Sequence, residues 1–392
     1  MPESETSQEK QLYNDAAVRT AAALVAARAE GAARAREAAR AEMVDGQYPR
    51  EKLFPPDNRP GYGVALEYER MGNRPVSDEL QARAEALGCE FEHLATTIGS
   101  VIHNIDLRET ADPERTRFVR DALLERKVIF FRDQNLSEDE QVAFGRQFGE
   151  LDAFPFGPAG ENPFILEIRH GRNNPGTENG WHTDVTWMET PSLGSIAQCL
   201  EVPPIGGDTL FADSHACYLS LSEDMKERLQ HLHGVNDYRG FLGARSPHGL
   251  PEELVTQIKE EIPFGVSHPL LRTHPETGKT ALYIHGGFLR HDSLFDARSG
   301  EKLDEKESRA IVANLLRQHG RPEHTCRFQW TAGSVAFWDN RAVQHYAASD
   351  YHPHKRVLRR VTVSGDRPYY EPEAPTQKKA ASPDPTMIRV VD

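Results

Sequence analysis

The chain has 392 residues and a net charge of −14, with 38% hydrophobic and 27% charged residues, a balance ordinary for a soluble globular protein. Its acidity excludes a general attraction to phosphate backbones or anionic membranes, so neither nucleic acid nor membrane is expected as a partner. The four cysteines form no Cys-x-x-Cys pair and read as buried or incidental thiols of a reducing compartment. With no apolar run of membrane-spanning length and no basic, apolar leader at the start, the expectation is a cytoplasmic enzyme.

Residues 1–75 read as an Ala/Arg-rich helical extension followed by a Pro-rich linker. Of the 26 residues from Ala16 to Ala41, 14 are alanine, which favours a long helix because alanine loses no side-chain entropy there. Its apolar stripe is weak, so it should lie against the main domain or against a second subunit of a homo-oligomer. Ser77 to Leu87 reads as a short helix. Residues 76–370 form the main domain. Phe118, Val119, Ala122 and Leu123 share a helix face, Val128–Phe131 suits a buried strand, and Ser137 with Glu140 resembles a capping box. Strand-like runs then recur at Phe164–Ile168, Trp181–Trp187, Ser195–Glu201, Thr209–Ala212, His268–Thr273, Ala281–His285, Cys326–Trp330, Val335–Trp338 and Arg356–Val363. A helix from about Asp304 to His319 interrupts them, and residues 240–262 look like an insertion. The result is a mainly β protein with flanking helices, a double-stranded β-helix or jelly roll. Residues 371–392 form a Pro-rich flexible tail.

The chemistry concentrates in Trp181-His182-Thr183-Asp184-Val185-Thr186-Trp187. On a strand, His182 and Asp184 project from one side while Thr183 points away. A third ligand is expected from His345, in Trp338–Tyr346, brought alongside by a sheet that folds back. Two histidines and one carboxylate that leave metal positions open suit non-haem Fe(II) and oxygen chemistry. Gly206-Gly207-Asp208-Thr209 is a tight turn that delivers a hydroxyl at a strand start. Arg356 and Arg360 share a strand face and could hold two different anions.

Together these segments, in consistent order over roughly residues 88–370, resemble the taurine dioxygenase family of Fe(II)/2-oxoglutarate-dependent dioxygenases. Weaker likeness runs through Phe130–Gln134 and Phe148–Leu151. The resemblance implies that His182, Asp184 and His345 hold the iron and that Thr209 and Arg356 bind the far carboxylate of the co-substrate 2-oxoglutarate. Arg360 takes the position that binds the anionic head of the primary substrate. With O2 as second co-substrate, the expected reaction is hydroxylation of a small organic anion: a sulfonate, sulfate ester or carboxylate. A sulfonate or sulfate hydroxylated beside its head group would collapse to an aldehyde plus sulfite or sulfate. Phe154 stands where the family has a histidine on the sulfonate, and with Phe156 it makes the substrate pocket less polar. That departure argues against taurine itself and for a bulkier or more apolar anion.

Two other classes compete: a zinc hydrolase with the same His/Asp/His ligands, and a non-catalytic jelly-roll binding module. The first has no use for Thr209 with Arg356, and the second does not need all three ligands. Among other histidines, His231 and His233 lack a third ligand for a second metal. His285, at the end of a strand-like run, reads as an ordinary polar residue rather than a cavity residue.

Overall fold

In a computed structural model the chain forms two compact units, residues 59–376 and residues 1–58 with 377–392. The structure describes residues 60–372 except 110–111, 154–161, 177 and most of 239–264, together with Gln47–Pro49 and Met387–Arg389. In the smaller unit those two short segments pair as antiparallel strands. The expected helix at 16–41, the expected insertion at 240–262, and Phe154 and Phe156 lie outside the described residues.

The larger unit begins with helix α1 (Pro60–Arg70), ahead of the expected start at residue 76. Helix α2 (Asp78–Ala86) follows, capped by the Ser77 side chain, then strands β1 (Glu90–His93) and β2 (Ser100–His103). Helix α3 (Pro113–Arg126) leads into β3 (Val128–Phe131). Helix α4 (Glu138–Arg146) has the expected capping box, with Ser137 and Glu140 bonding each other's backbone. The remaining sheet strands are β4 (Leu151–Asp152), β5 (Leu166–His170), β6 (Gly194–Glu201), β7 (Thr209–Asp213), β8 (Thr325–Phe328), β9 (Val335–Asp339), β10 (Val343–Ala347) and β11 (Arg356–Val363).

Two sheets result. The larger has the order β1-β2-β3-β9-β6-β11-β4, with β5 also on β11; the smaller has the order β8-β7-β10. From β6 to β11 the chain passes repeatedly between the sheets, which is the jelly-roll connectivity expected from the run of short strands. Strand β3 shows why its sequence is continuously apolar rather than alternating. Ile129 and Phe131 pack with Phe118, Phe144 and Phe337 under the helices. Val128 and Phe130 face the other way, into the layer between the sheets with Phe211, Phe328 and Trp338, where Phe130 stacks on Phe328 at 4.0 Å between ring centroids. A strand buried on both faces has no use for a polar alternate. A third apolar cluster gathers around helix Glu305–His319, which starts at the Asp304 cap and ends at Gly320.

A buried ionic network explains why α1 belongs to this unit. Glu67 is fully buried. Its carboxylate lies 2.6 Å from Lys279 Nζ, 3.5 Å from Lys127 Nζ and 3.1 Å from His215 Nε2. Lys127 is also 3.0 Å from Asp213, whose Oδ1 caps helix Ser214–Leu219. Gly63 lets α1 approach that helix closely: a Cβ there would stand 2.2 Å from the Ala216 carbonyl oxygen. Burial by itself would raise the Glu67 carboxyl, but the charges of His215 and Lys127 outweigh it and hold the group well below the usual carboxylate range.

Removing one partner from such a network leaves a buried charge uncompensated. Glu67→Ala should cost about 3–5 kcal/mol, read from urea unfolding; a loss under about 1 kcal/mol would contradict the network's role. A carboxyl depressed on folding contributes fully above its unfolded value, and that contribution disappears as the pH falls. Glu67→Gln should therefore flatten the loss of stability seen as the pH is lowered from about 7 to about 3.

Candidate active site

His182 and His345 meet as partners in a single antiparallel bridge. The amide of His182 donates to the His345 carbonyl at 3.0 Å, and the amide of His345 donates to the His182 carbonyl at 2.7 Å. Directly opposed residues put their side chains on one side of the ladder, and the two imidazole centroids are 4.0 Å apart. His345 lies on β10 in the smaller sheet, with its ring packed beside those of Phe211 and Trp338.

The segment carrying His182 and Asp184 is not the expected strand. Pairing stops after one residue, and Asp184 to Trp187 form a turn. Asn340, in the turn between β9 and β10, is the cause. Its backbone carbonyl accepts from Thr183 Oγ1 at 2.7 Å, and its side-chain Oδ1 faces the Asp184 amide at 3.4 Å. Those contacts replace a ladder with side-chain capping. Val185 is driven to φ +49°, a left-handed conformation that a β-branched residue adopts only under strain held by its surroundings. Asp184 thus reaches the histidines from a turn, and strand alternation plays no part.

The carboxylate is oriented at both oxygens. Oδ2 accepts from Ser195 Oγ at 2.8 Å and faces Asn340 Nδ2 at 3.5 Å. Oδ1 is 3.9 Å from His345 Nε2 and 3.1 Å from Arg360 Nη1. Burial alone would raise the Asp184 pKa, but the charge of the Arg360 guanidinium, with the hydrogen bond from Ser195, overcomes this and keeps it well below the carboxylate range. Burial pushes His345 well below the usual histidine value, so its imidazole is neutral. His182 Nδ1 sits 2.7 Å from the Gly180 carbonyl oxygen, an acceptor that fixes the proton on Nδ1 and leaves Nε2 a lone pair. Ligand atoms of all three residues lie within 4.8 Å of one another, the only such His/Cys/Asp/Glu group among the described residues. A carboxylate and neutral imidazoles with free lone pairs are the donor set that Fe(II) takes.

The second predicted pair also meets. Thr209 opens β7 after Gly206 and Gly207, both at positive φ, and Arg356 Nη2 donates to Thr209 Oγ1 at 3.2 Å. Arg356 is 3% exposed, and no carboxylate pairs with it among the described residues. Burial lowers its pKa. A buried guanidinium with no carboxylate in contact is costly, and a planar carboxylate would satisfy its fork. Strand β11 keeps its alternation, so Arg356, Leu358 and Arg360 face the layer between the sheets. Arg359 points away to Gln141 Oε1 at 2.9 Å. Arg360 stands against Asp184, at the edge of the ligand cluster.

Three residues escaped the sequence reading. Ser195 and Asn340 position Asp184, and His285 lies beside the triad. Asn340 sits inside a segment already singled out, but between Asp339 and Arg341 it looks like any turn residue. His285, expected to be ordinary, is buried, with its ring centroid 5.5 Å from that of His182.

A two-sheet jelly roll that converges two histidines and a carboxylate beside a buried arginine defines a non-haem iron oxygenase. The sequence model of the taurine catabolism dioxygenase TauD, TfdA family matches residues 90–362. An alkylsulfatase of Acinetobacter baylyi is 34% identical over 71% of this chain and 85% of its own length. An alpha-ketoglutarate-dependent sulfate ester dioxygenase of Pseudomonas putida is 32% identical over 74% of this chain and 94% of its own. Among solved structures, a taurine dioxygenase from Burkholderia xenovorans is 34% identical with a TM-score of 0.59, covering 71% of this chain and 92% of that one. The chain belongs to the TauD/TfdA family and is a 2-oxoglutarate-dependent non-haem iron dioxygenase. Family membership sets aside the zinc hydrolase and the non-catalytic module.

Because Asn340 holds both the turn and the carboxylate, Asn340→Ala should weaken metal binding about 10–100-fold without unfolding the protein. Anaerobic Mn(II) titration by calorimetry measures it. An unchanged affinity would show that Asp184 does not depend on this contact.

Proposed function

We propose that His182, Asp184 and His345 hold Fe(II), that Thr209 and Arg356 anchor the distal carboxylate of 2-oxoglutarate, and that Arg360 binds the anionic head of the substrate. The iron, once bound, supplies with 2-oxoglutarate and O2 the oxidising power to hydroxylate an unactivated C–H bond. The residues of this chain do the positioning. Ser195 and Asn340 orient Asp184, the His182–His345 bridge spaces the two imidazoles, and Arg356 offers a buried guanidinium, in contact with no carboxylate of the described chain, as a carboxylate site.

The substrate class follows from one observation: Arg360 Nη1 stands 3.1 Å from Asp184 Oδ1. A head group paired with that guanidinium sits next to the metal position, so the C–H bonds presented for oxidation are those beside the head group. The substrate we infer is an alkyl sulfate or sulfonate with an apolar body, the sulfate ester first. Support comes from the two relatives that act on sulfate esters by name and from the expectation, on the family resemblance alone, that Phe154 and Phe156 belong to the substrate pocket, where an apolar body would gain roughly 25 cal/mol per Å² buried. Hydroxylation of the carbon bearing the sulfate gives a hydroxy sulfate that eliminates hydrogen sulfate and leaves the aldehyde. Molecular oxygen supplies the hydroxyl oxygen, and 2-oxoglutarate is oxidised to succinate and CO2.

Octyl sulfate, octyl sulfonate, taurine and an aryloxy carboxylate offered to the Fe(II)-loaded enzyme should rank with octyl sulfate highest in kcat/KM. If taurine ranks first, the substrate reading is wrong. Alanine at His182, Asp184 or His345 should abolish turnover. Arg356→Ala should raise the KM for 2-oxoglutarate about tenfold or more. Arg360→Ala should weaken the organic anion instead, leaving 2-oxoglutarate consumption uncoupled from it. Equal effects of both arginine variants on both ligands would contradict the division.

A further inference from the structure

His285 follows strand Thr280–Leu282 and is 5% exposed. Its Nδ1 accepts two backbone N–H groups, from Gly287 at 2.7 Å and Phe288 at 2.9 Å. A nitrogen that accepts amide protons carries none, so the neutral ring has its proton on Nε2. The turn makes that tautomer permanent. Gly287 lies so close that a Cβ there would stand 3.3 Å from His285 Cε1, and Phe288 packs on the ring at 4.1 Å between centroids.

The opposite edge of the ring is a donor in search of an acceptor. Nε2 is buried and has no hydrogen-bond partner among the described residues. Leaving a buried N–H unsatisfied is expensive, and native structures rarely do it without a ligand or water to complete the bond. The Asp184 carboxylate of the triad is already engaged by Ser195, Asn340 and Arg360. The His285 ring lies beside that of His182, on the triad that Arg360 also borders. A fixed N–H donor on the border of a site that also holds a guanidinium can join it in recognising an oxyanion.

We propose that His285 contacts ligand directly, donating its Nε2 proton to an oxygen of the anion bound beside the metal position. The oxygen belongs either to the head group of the organic anion, which rests on the function proposed above, or to a carboxylate of 2-oxoglutarate. In both cases His285 adds a neutral, directional contact to the charge supplied by arginine. Neutral donors discriminate by geometry, so the residue sets which head group fits.

The test uses Zn(II)-loaded full-length protein without turnover. Calorimetry measures 2-oxoglutarate binding first, then octyl sulfate binding to the 2-oxoglutarate complex, for wild type, His285→Phe and His285→Gln. His285→Phe keeps a ring but loses the donor, and His285→Gln returns an N–H near the Nε2 position. One of the two anions should bind about tenfold or more weakly to His285→Phe, with partial recovery in His285→Gln and Zn(II) affinity unchanged within about twofold. The anion affected identifies the source of the oxygen. Both anions binding His285→Phe within about twofold of wild type would overturn the proposal, as would a parallel loss of Zn(II) affinity. A measurement on wild type does not depend on the variants folding: the His285 Nε2 proton resonance, seen with 15N-labelled histidine, should shift when the anion binds. An unmoved resonance in both complexes overturns the assignment. Should wild type bind 2-oxoglutarate but not octyl sulfate, the substrate reading fails, and the 2-oxoglutarate arm still decides the role of His285.

Discussion

The site depends on one pair of backbone hydrogen bonds, between His182 and His345. They join a loop to the smaller sheet at the single register that puts two imidazoles side by side. A slip of one residue would set His182 opposite Gln344 or Tyr346, whose side chains point to the other face of β10 from His345, and the two imidazoles would no longer share a face. The bridge is short, so its register is protected by what surrounds it. Phe211 and Trp338 hold the His345 ring, while Asn340 binds Thr183 and Asp184. The strained Val185 is the cost of turning Asp184 inward immediately after the bridge.

Charge is handled differently around Glu67 and around the triad, two of the buried charged regions of the larger unit. Around Glu67 the ionic groups are mutually compensated: two lysines and a histidine face one carboxylate, and Asp213 faces Lys127. That region is complete without any ligand and secures α1. At the site the charges are left open. Arg356 has a hydroxyl but no carboxylate partner among the described residues, and the His285 Nε2 has no acceptor there. Desolvated, incompletely paired groups cost stability and supply binding. The contrast separates structure from function without reference to any relative.

Much of this was legible in the sequence because local and tertiary demands agreed. Strand β11 occurs at its predicted bounds because apolar alternation and β-branched residues favour it and both neighbours accept its register. The Ser137–Glu140 box needs only itself. That His182, Asp184 and His345 converge, and that Thr209 meets Arg356, was expected from the order of these segments and its resemblance to the taurine dioxygenase family, because a bare His-x-Asp says little by itself. Trp181–Trp187 was misread as a strand: its β-rich composition is overruled by hydrogen bonds to Asn340, a residue more than a hundred positions away. His285 was underrated for a similar reason. A lone histidine at a strand end is ordinary until the turn at Gly287 and Phe288 fixes its tautomer, and that turn is visible only in three dimensions.

The central claim is that one metal ion sits among His182, Asp184 and His345. Anomalous diffraction at the metal edge from crystals grown anaerobically with Fe(II) tests it most directly. The account predicts a single strong peak enclosed by those three side chains. A strongest peak elsewhere, or none at the triad in an iron-loaded crystal, would contradict it.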